Sequence, residues 1–193
     1  HHFSEGLCAV YKYDVPSRNT NSQTSHYGFI NKKGEIVIPM TLDSYSGSSV
    51  RFEREFEFKD GYVELQQPSP IRATLIGYNG KPLPGFTWYE RISRFSDGLA
   101  LFRTNNLYGY LKRNGQEAIK PSYDVAFSFE NGYACVGKNI NGEIKYGCIN
   151  TDGVLVIPFQ YDEYFFFENG IALVLQGEKI GLIDVYGNST FMP

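Results

Sequence analysis

Three sets of side chains in this chain have the chemistry to bind a ligand or to form a covalent bond. Cys135 and Cys148 could form a disulfide, and the aromatic segments FTWY (86–89) and YFFF (164–167) could stack on a sugar or a peptide. The segment SYSGSSVRFEREFEF (44–58) alternates aromatic residues with carboxylates, which attract cations and basic partners. Whether each set can bind a ligand or form a bond depends on the strands and turns that position its side chains.

Catalytic motifs do not accompany these groups. The chain has three histidines, of which His1 and His2 are typical of a tag remnant, and we interpret His26 as a structural surface residue. No spacing of His, Cys and carboxylates is typical of a zinc site, and the sequence has no GxSxG motif, phosphate-binding glycine loop or EF-hand. We therefore predict that the protein is not an enzyme and has no cofactor-binding or metal-binding residues.

Composition excludes further classes of protein. The 193 residues carry a net charge of −3, without the basic excess that binding to nucleic acid or an anionic membrane requires. Apolar residues make up 42% of the chain, yet no apolar run reaches the roughly 18 residues that span a bilayer. We expect a folded globular chain without a membrane span. The tag remnant leads us to interpret it as a truncated form of a longer protein.

A repeat of about 36 residues runs through the chain. A first phrase, an aromatic residue and a turn glycine followed by small or apolar residues, occurs as FSEGLCAV (3–10), FKDGYVEL (58–65), FSDGLALF (95–102), FENGYACV (129–136) and FENGIALV (167–174). A second phrase follows each first one, as YGFINKKGEIVIP (27–39), TLIGYNGKPLP (74–84), YGYLKRNGQEAIKP (108–121), YGCINTDGVLVIP (146–158) and IGLIDVYGNSTFM (180–192). We interpret residues 1–193 as a single array of five units, starting near residues 3, 58, 95, 129 and 167.

Each unit is predicted to consist of β-strands. Its apolar runs are short and bounded by Gly, Asn and Asp, and no segment keeps the 3.6-residue period of a helix. Hairpin turns are predicted at residues 105–106, 141–142 and 177–178, because the Asn and Gly there accept the positive φ of two-residue turns. We predict an all-β fold of five antiparallel meanders, each of three or four strands, curved into a propeller-like body. An open β-solenoid is the alternative.

The predicted register gives each hairpin two apolar faces. Face A, which contains the second and fourth residues after the turn glycine, comprises Ala100, Phe102, Gly109 and Leu111 in unit three, Ala134, Val136, Gly147 and Ile149 in unit four, and Ala172, Val174, Gly181 and Ile183 in unit five. Face B, which contains the first and third, comprises Leu99, Leu101, Tyr108 and Tyr110 in unit three and Ile171, Leu173, Leu175, Ile180 and Leu182 in unit five. Strands that are apolar on both faces are expected to be covered on both, so we predict that neighbouring units stack on each other.

The two phrases carry a resemblance to a known family. YGFINKKGEIVIP, YGYLKRNGQEAIKP and YGCINTDGVLVIP, with the first phrases beside them, resemble the WG repeat of bacterial proteins. Tyr27, Tyr108, Tyr146 and Ile180 stand where that family often has Trp, and the resemblance covers essentially the whole chain. It implies a β-rich tandem array and no catalytic mechanism, because the family has no catalytic motif to carry over.

Two candidate binding regions depart from the regular pattern. Extra residues before Phe58 are predicted to form an additional strand whose acidic face carries Arg51, Glu53, Glu55 and Glu57. The segment FTWY is denser in aromatics than the repeat requires, which makes Trp88 and Tyr89 candidates for an exposed aromatic strip. The structural alternatives are a solvated strand and core packing.

A Tyr-acid pair recurs after the proline of the second phrase, as in Tyr123-Asp124 and Tyr161-Asp162. We interpret these acids as turn residues that accept backbone N–H groups. The alternative is a ring of carboxylates that gathers a cation or a basic partner.

Cys135 and Cys148 face each other across the predicted hairpin of unit four. They are expected to form a non-hydrogen-bonded pair, in which side chains approach most closely, so a cross-strand disulfide is feasible. Leu173 and Leu182 occupy the same places in unit five, which favours buried thiols acting as small apolar groups. The odd number of cysteines, three, argues against a secreted disulfide framework.

We expect the array to be a non-catalytic scaffold that binds an unknown protein or peptide through its loops and curved surface. The alternative is a module that binds carbohydrate or a cell-surface ligand, which exposure of Trp88, Tyr89 and Phe165 would favour. Apolar faces left open in an array invite pairing with another chain, so a dimer would also be compatible with the sequence.

Overall fold

The computed structural model describes residues 3–13, 24–45, 57–68 and 71–191, and these form strands and turns without a helix. The strands are β1 (Leu7–Tyr13), β2 (Thr24–Asn31), β3 (Ile36–Tyr45), β4 (Tyr62–Pro68), β5 (Ile71–Gly77), β6 (Arg91–Ser96), β7 (Leu99–Thr104), β8 (Leu107–Lys112), β9 (Glu117–Tyr123), β10 (Val125–Ala126), β11 (Tyr133–Ile140), β12 (Glu143–Asn150), β13 (Leu155–Tyr161), β14 (Ile171–Gln176), β15 (Lys179–Asp184) and β16 (Ser189–Phe191). The predicted all-β fold is confirmed.

The strands form small antiparallel sheets, one for each unit, and none closes into a barrel. The sheet orders are β1-β2-β3, β4-β5, β6-β7-β8-β9, β10-β11-β12-β13 and β14-β15-β16. Four units therefore have the predicted three or four strands. The prediction is wrong for unit two, whose sheet has two strands.

The three predicted hairpin turns are confirmed by strand register. Cα partners close the hairpins at Thr104↔Leu107 in unit three, Ile140↔Glu143 in unit four and Gln176↔Lys179 in unit five. Both central residues of the unit four turn have positive φ, 57° at Asn141 and 92° at Gly142. Such turns match the twist of the flanking strands, which is why these short residue pairs set the register of whole hairpins.

The glycine of the YG phrase lies where the third strand of the sheet crosses the second. A Cβ on Gly147 would lie 2.5 Å from the carbonyl oxygen of Ile157, and one on Gly109 would lie 2.6 Å from that of Ile119. The register of β12 against β13 shifts at this point, between the pairs formed by Tyr146 and Cys148. Pro158, which follows Ile157, fits the same irregularity, because proline has no N–H to donate to the hydrogen bonds of a regular sheet.

Unit two shows what happens when that glycine is absent. Thr74 stands at its position, fully buried, and its hydroxyl donates a hydrogen bond to the carbonyl oxygen of Thr87 at 2.7 Å. Among the described residues, an irregular segment rather than a third strand pairs with β5, through the backbone of Leu83 and Tyr89. The segment that carries Thr87 thus passes over Thr74 and is joined to it by this hydrogen bond, without forming a strand in the sheet.

The chain divides into two compact halves, His1–Ile92 and Ser93–Pro193. In the first half, face B of unit one packs on face A of unit two, and their buried side chains are Leu7, Ala9, Phe29, Ile38, Phe58, Val63, Leu65 and Ile76. This contact confirms that units one and two stack, as the two-faced hairpins predict. Whether residues 1–193 form a single continuous array stays a prediction.

The second half contains two contacts of the same kind. Face B of unit three packs on face A of unit four through Leu99, Leu101, Tyr110, Ile119, Ala126, Phe129, Ala134, Val136 and Ile149. Face B of unit four packs on face A of unit five through Cys135, Cys148, Ile157, Tyr161, Phe165, Ala172, Val174 and Ile183. Every one of these contacts therefore joins face B of one unit to face A of the next.

The prediction that every hairpin is covered on both faces is wrong for unit five. On its face B, Ile171 is 50% exposed, Leu173 61% and Leu182 46%. The equivalent Leu101 of unit three is 8% exposed, because unit four covers it. The sequence pattern identifies an apolar face, and burial depends on whether another element lies over it.

Side chains of the glycine turns add polar links between stacked units. The Ser4 hydroxyl donates to the carbonyl oxygen of Phe58, and the Glu5 carboxylate accepts the N–H groups of Asp60 and Gly61 at 2.8 and 2.9 Å. In the second half, the carboxylate of Asp97 accepts the N–H of Gly132 at 2.6 Å. The turn acids thus satisfy backbone donors of the next unit, in addition to the apolar contact between faces.

Candidate binding surface

The segment YFFF (164–167), which follows β13, has both buried and exposed aromatic side chains. Tyr164 is 55% exposed and Phe166 47%, whereas Phe165 is 4% exposed and packs in the contact between units four and five. The segment is extended, so successive side chains point in opposite directions. Two of the aromatic residues of YFFF therefore face solvent.

Phe127 and Tyr146 join these two residues in one cluster, which we call the aromatic surface: Phe127, Tyr146, Tyr164 and Phe166. The ring centroids of Phe127 lie 5.0 Å from Tyr164 and 5.1 Å from Phe166, and those of Tyr164 and Phe166 lie 5.7 Å apart. Tyr146 lies 6.2 Å from Tyr164. These distances are typical of aromatic pairs that stabilise each other.

The rings of the aromatic surface do not share one plane. The planes of Tyr164 and Phe166 make an angle of 57°, and those of Phe127 and Phe166 an angle of 89°. The surface is therefore uneven, and its rings present no single flat face. An uneven aromatic surface accommodates an inserted apolar side chain better than it stacks on a flat sugar ring.

An ion-pair cluster and the carboxylate of Glu163 lie on the strands and segment that carry Tyr146 and Tyr164. The Lys145 ammonium lies 2.5 Å from Oδ1 of Asp162 and 2.9 Å from Oε2 of Glu143. The hydrogen bond from Lys145 lowers the pKa of Asp162, and the bonds to Asp162 and Glu143 raise the pKa of Lys145. Burial is the main cause of the raised pKa of Tyr146, and the charge of the neighbouring Glu163 adds to it. Of these charged groups, Glu163 is the one whose charge acts on a ring of the aromatic surface.

The acids of the Tyr-acid pairs have the structural role predicted for them in units four and five. Oδ2 of Asp124 accepts the N–H of Asn139 at 2.8 Å, and Oδ2 of Asp162 accepts the N–H of Gly177 at 2.5 Å. Each carboxylate thus satisfies a donor of the hairpin that follows it in the chain. This agreement favours the turn interpretation over a carboxylate ring at these two positions.

The predicted acidic strand falls largely outside the described residues. Arg51, Glu53 and Glu55 lie in the segment 46–56, of which the structure describes nothing, and Glu57 is half-buried. The following Phe58 is 1% exposed and belongs to the core of the first half. The acidic strand stays a prediction.

The predicted aromatic strip at FTWY has one exposed member. Trp88 is 39% exposed, Tyr89 is half-buried and Phe86 is 6% exposed. The backbone of Tyr89 exchanges two hydrogen bonds with Ala73, at 2.7 and 2.9 Å. Of the three residues whose exposure would favour a carbohydrate-binding module, Phe165 is buried, Tyr89 is half-buried and Trp88 is exposed.

Cys135 and Cys148 are Cα partners in the β11–β12 hairpin, as the register predicts. Both thiols are buried and unbonded in this structure. Burial raises the pKa of Cys135 to about 11 and that of Cys148 to about 12. Since the thiolate is the reactive form, both groups are unreactive at neutral pH and pack as small apolar side chains. A count of free thiols distinguishes these buried thiols from the cross-strand disulfide that the register makes feasible.

The described residues offer no second kind of site. His26 is half-buried in β2, with backbone partners Lys12 and Asp43. Among the residues that the structure describes, no three His, Cys, Asp or Glu side chains come together to hold a metal ion. The same residues include no helix of the length and hydrophobicity that a membrane crossing requires.

Sequence reasoning singled out YFFF but did not name the residues of the aromatic surface as a site. The signal was present in part, because an extended YFFF segment must place alternate rings on opposite sides. Phe127 and Tyr146 join the surface through stacking between units. No pattern local to either residue could have indicated that.

The sheets, the repeated face contacts and the turn chemistry define an all-β tandem-repeat protein. The family model described as the WG containing repeat matches residues 27–48, 89–108, 108–139 and 146–179, which together are more than half of the 193 residues. The chain belongs to the WG repeat family. No curated protein and no solved structure matches it significantly.

Proposed function

We propose that this protein is a non-catalytic repeat scaffold that binds a protein or peptide segment through the aromatic surface. One observation carries the proposal: Tyr164 and Phe166 stay 55% and 47% exposed while they contact each other and Phe127. Aromatic groups that stay exposed together at the surface are typical of interaction sites.

The chemistry of the surface indicates what it would bind. The tilted rings offer contacts to aliphatic or aromatic side chains, and the carboxylate of Glu163 attracts a basic residue beside them. The expected ligand is therefore an exposed segment that combines apolar side chains with Lys or Arg. Since the rings lie at 57° and 89° to one another, they offer no flat platform for a sugar.

The proposal is tested by selecting binders from a displayed peptide library on the purified protein. We expect selected peptides that are rich in apolar and basic residues, and a loss of affinity of roughly tenfold or more in the variant Tyr164→Ala/Phe166→Ala. Tyr186→Ala is the matched control, because Tyr186 is 83% exposed and contributes no ring to the aromatic surface.

Three results would argue against the proposal. They are a library without binders, binders that ignore the double substitution, and binders that lose affinity equally in the control. A glycan array provides the complementary test. Binding of a glycan that depends on Trp88 would favour the carbohydrate alternative instead.

The proposal also concerns the arrangement of the units, for which the sequence predicts a propeller-like ring with an open solenoid as the alternative; the exposed face B of unit five favours the solenoid. The repeated contact of face B with face A supports a stacked array of either kind. Small-angle scattering on the monomer separates them, because a ring has a compact profile and a solenoid an elongated one. An elongated profile would contradict the ring.

A further inference from the structure

Face B of unit five is an exposed apolar surface whose equivalents in other units are buried. Ile171, Leu173, Ile180 and Leu182 are each between 46% and 61% exposed. The β14–β15 register pairs Leu173 with Leu182, just as it pairs Cys135 with Cys148 in unit four. The same positions of the hairpin are therefore open in unit five and buried in unit four.

The contacts within the chain indicate what such a face accepts. Face B of unit four is covered by Ala172, Val174 and Ile183 of unit five, and face B of unit three by Ala134, Val136 and Ile149 of unit four. In each case the covering face has the pattern small-x-Val on one strand and Gly-x-Ile on the next. On each covering face, the valine and the isoleucine both lie opposite a small residue, so the large side chains do not compete for space within the hairpin.

Unit one carries that same pattern on its own face A. Cys8 and Val10 on β1 pair with Ile30 and Gly28 on β2, in the register that joins Ala172 to Ile183 and Val174 to Gly181 in unit five. Val10 and Ile30 are half-buried, whereas Cys8 on the same face is 8% exposed. The described residues thus include an open face B and a partly open face A of matching pattern.

We propose that face B of unit five binds face A of unit one in a second copy of this chain. The contact is head-to-tail and repeats the face B to face A contact that joins the units within each half. It is independent of the aromatic surface. Because its two sides differ, the contact is heterologous, and each copy keeps one free face for a further copy. A single hairpin face is small, so the association is weak and depends on protein concentration.

Two variants test the proposal by sedimentation equilibrium across a concentration series. Leu173→Glu places a charge on face B of unit five, and Val10→Glu places one on face A of unit one. We expect the unsubstituted chain to show species larger than the monomer, and each variant alone to lose them. Mixed in equal amounts, the two variants should form a one-to-one dimer, because each supplies the intact face that the other lacks.

The controls keep the test specific. Val154→Glu introduces the same charge at a side chain that is 57% exposed but lies outside face B of unit five, and this variant should associate as the unsubstituted chain does. Circular dichroism and thermal melting check that each variant is folded. Ile30→Glu replaces Val10→Glu if the latter does not fold.

Three outcomes would overturn the proposal. A chain that stays monomeric at every concentration has no such contact. Association that survives Val10→Glu but not Leu173→Glu would mean that two face B surfaces pair symmetrically. If both variants lose association but their mixture gives no dimer, face B of unit five does not bind face A of unit one.

Discussion

Individual side chains show how strongly the packing between units controls their chemistry. Cys135 and Cys148 lie against Ile157, Phe165 and Ala172, and this burial raises the pKa of both thiols. Tyr110 is fully buried in the contact between units three and four, where burial raises its pKa as well. These groups keep their protons in the folded state and lose them more readily in the unfolded chain.

The stability of the protein is expected to fall as the pH rises from about 9 toward 12. The unfolded thiols ionise near their ordinary pKa of 9.0, whereas the folded ones stay protonated up to about 11 and 12, so the folded state binds more protons in this window. Each thiol contributes a decrease of at most about 1.4 kcal/mol per pH unit. Urea unfolding measured at a series of pH values checks this.

The variant Cys135→Ala/Cys148→Ala is the control for this pH dependence. It is less stable overall but should show a shallower decrease above pH 9. The thiols are first counted in the denatured, unreduced protein. Three free thiols are expected; a count of one would support the cross-strand disulfide and remove the basis of the pH prediction.

At the scale of strands and turns, the repeat depends on a close crossing inside each sheet. Gly28, Gly109 and Gly147 lie directly beneath the backbone of the third strand, with room for no Cβ. Unit two has Thr74 instead and forms a two-stranded sheet. The tyrosine of the YG phrase is thus replaceable, as Ile180 shows, whereas the glycine is required wherever a third strand crosses.

Gly147→Ala is expected to destabilise the protein by about 1–3 kcal/mol, because the added Cβ would lie 2.5 Å from the carbonyl oxygen of Ile157. Gly77→Ala is the matched control in a strand of unit two. Its Cβ would meet Leu83 at 3.5 Å, an ordinary van der Waals contact. Chemical denaturation of both variants provides the comparison, and equal losses of stability would contradict the crossing model.

At the scale of the whole molecule, equivalent residues differ according to what covers their unit. Leu101 and Leu173 occupy the same position of units three and five, yet the first is 8% exposed and the second 61%. Unit four covers Leu101 with its face A. Stability in such arrays therefore comes from contacts between neighbours as well as from each hairpin alone.

The two leucines should respond very differently to truncation. Leu101→Ala is expected to lower the free energy of unfolding by about 2–5 kcal/mol, since it leaves a cavity between units three and four. Leu173→Ala should change it by less than about 0.5 kcal/mol in dilute solution, where self-association is absent. Urea unfolding of both variants tests this, and similar losses at both positions would show that face B of unit five is covered in the monomer.

The sequence alone determined the features that depend on near neighbours in the chain. Asn and Gly at residues 141–142 accept positive φ, so they placed the turn, and strand alternation then placed Cys135 opposite Cys148 and separated face A from face B. Repetition of these signals identified the family. All of this follows from local backbone preferences that act over a few residues.

Only the tertiary structure decided which of these surfaces are open. The pattern of unit five matches that of unit three, yet its face B is exposed, and YFFF divides between a buried Phe165 and an exposed Tyr164. It also decided that the described residues of unit two form a two-stranded sheet, with Thr74 at the position that is glycine in the other units. Burial depends on contacts between residues that are distant in sequence. Local backbone preferences do not determine which element packs against a given face.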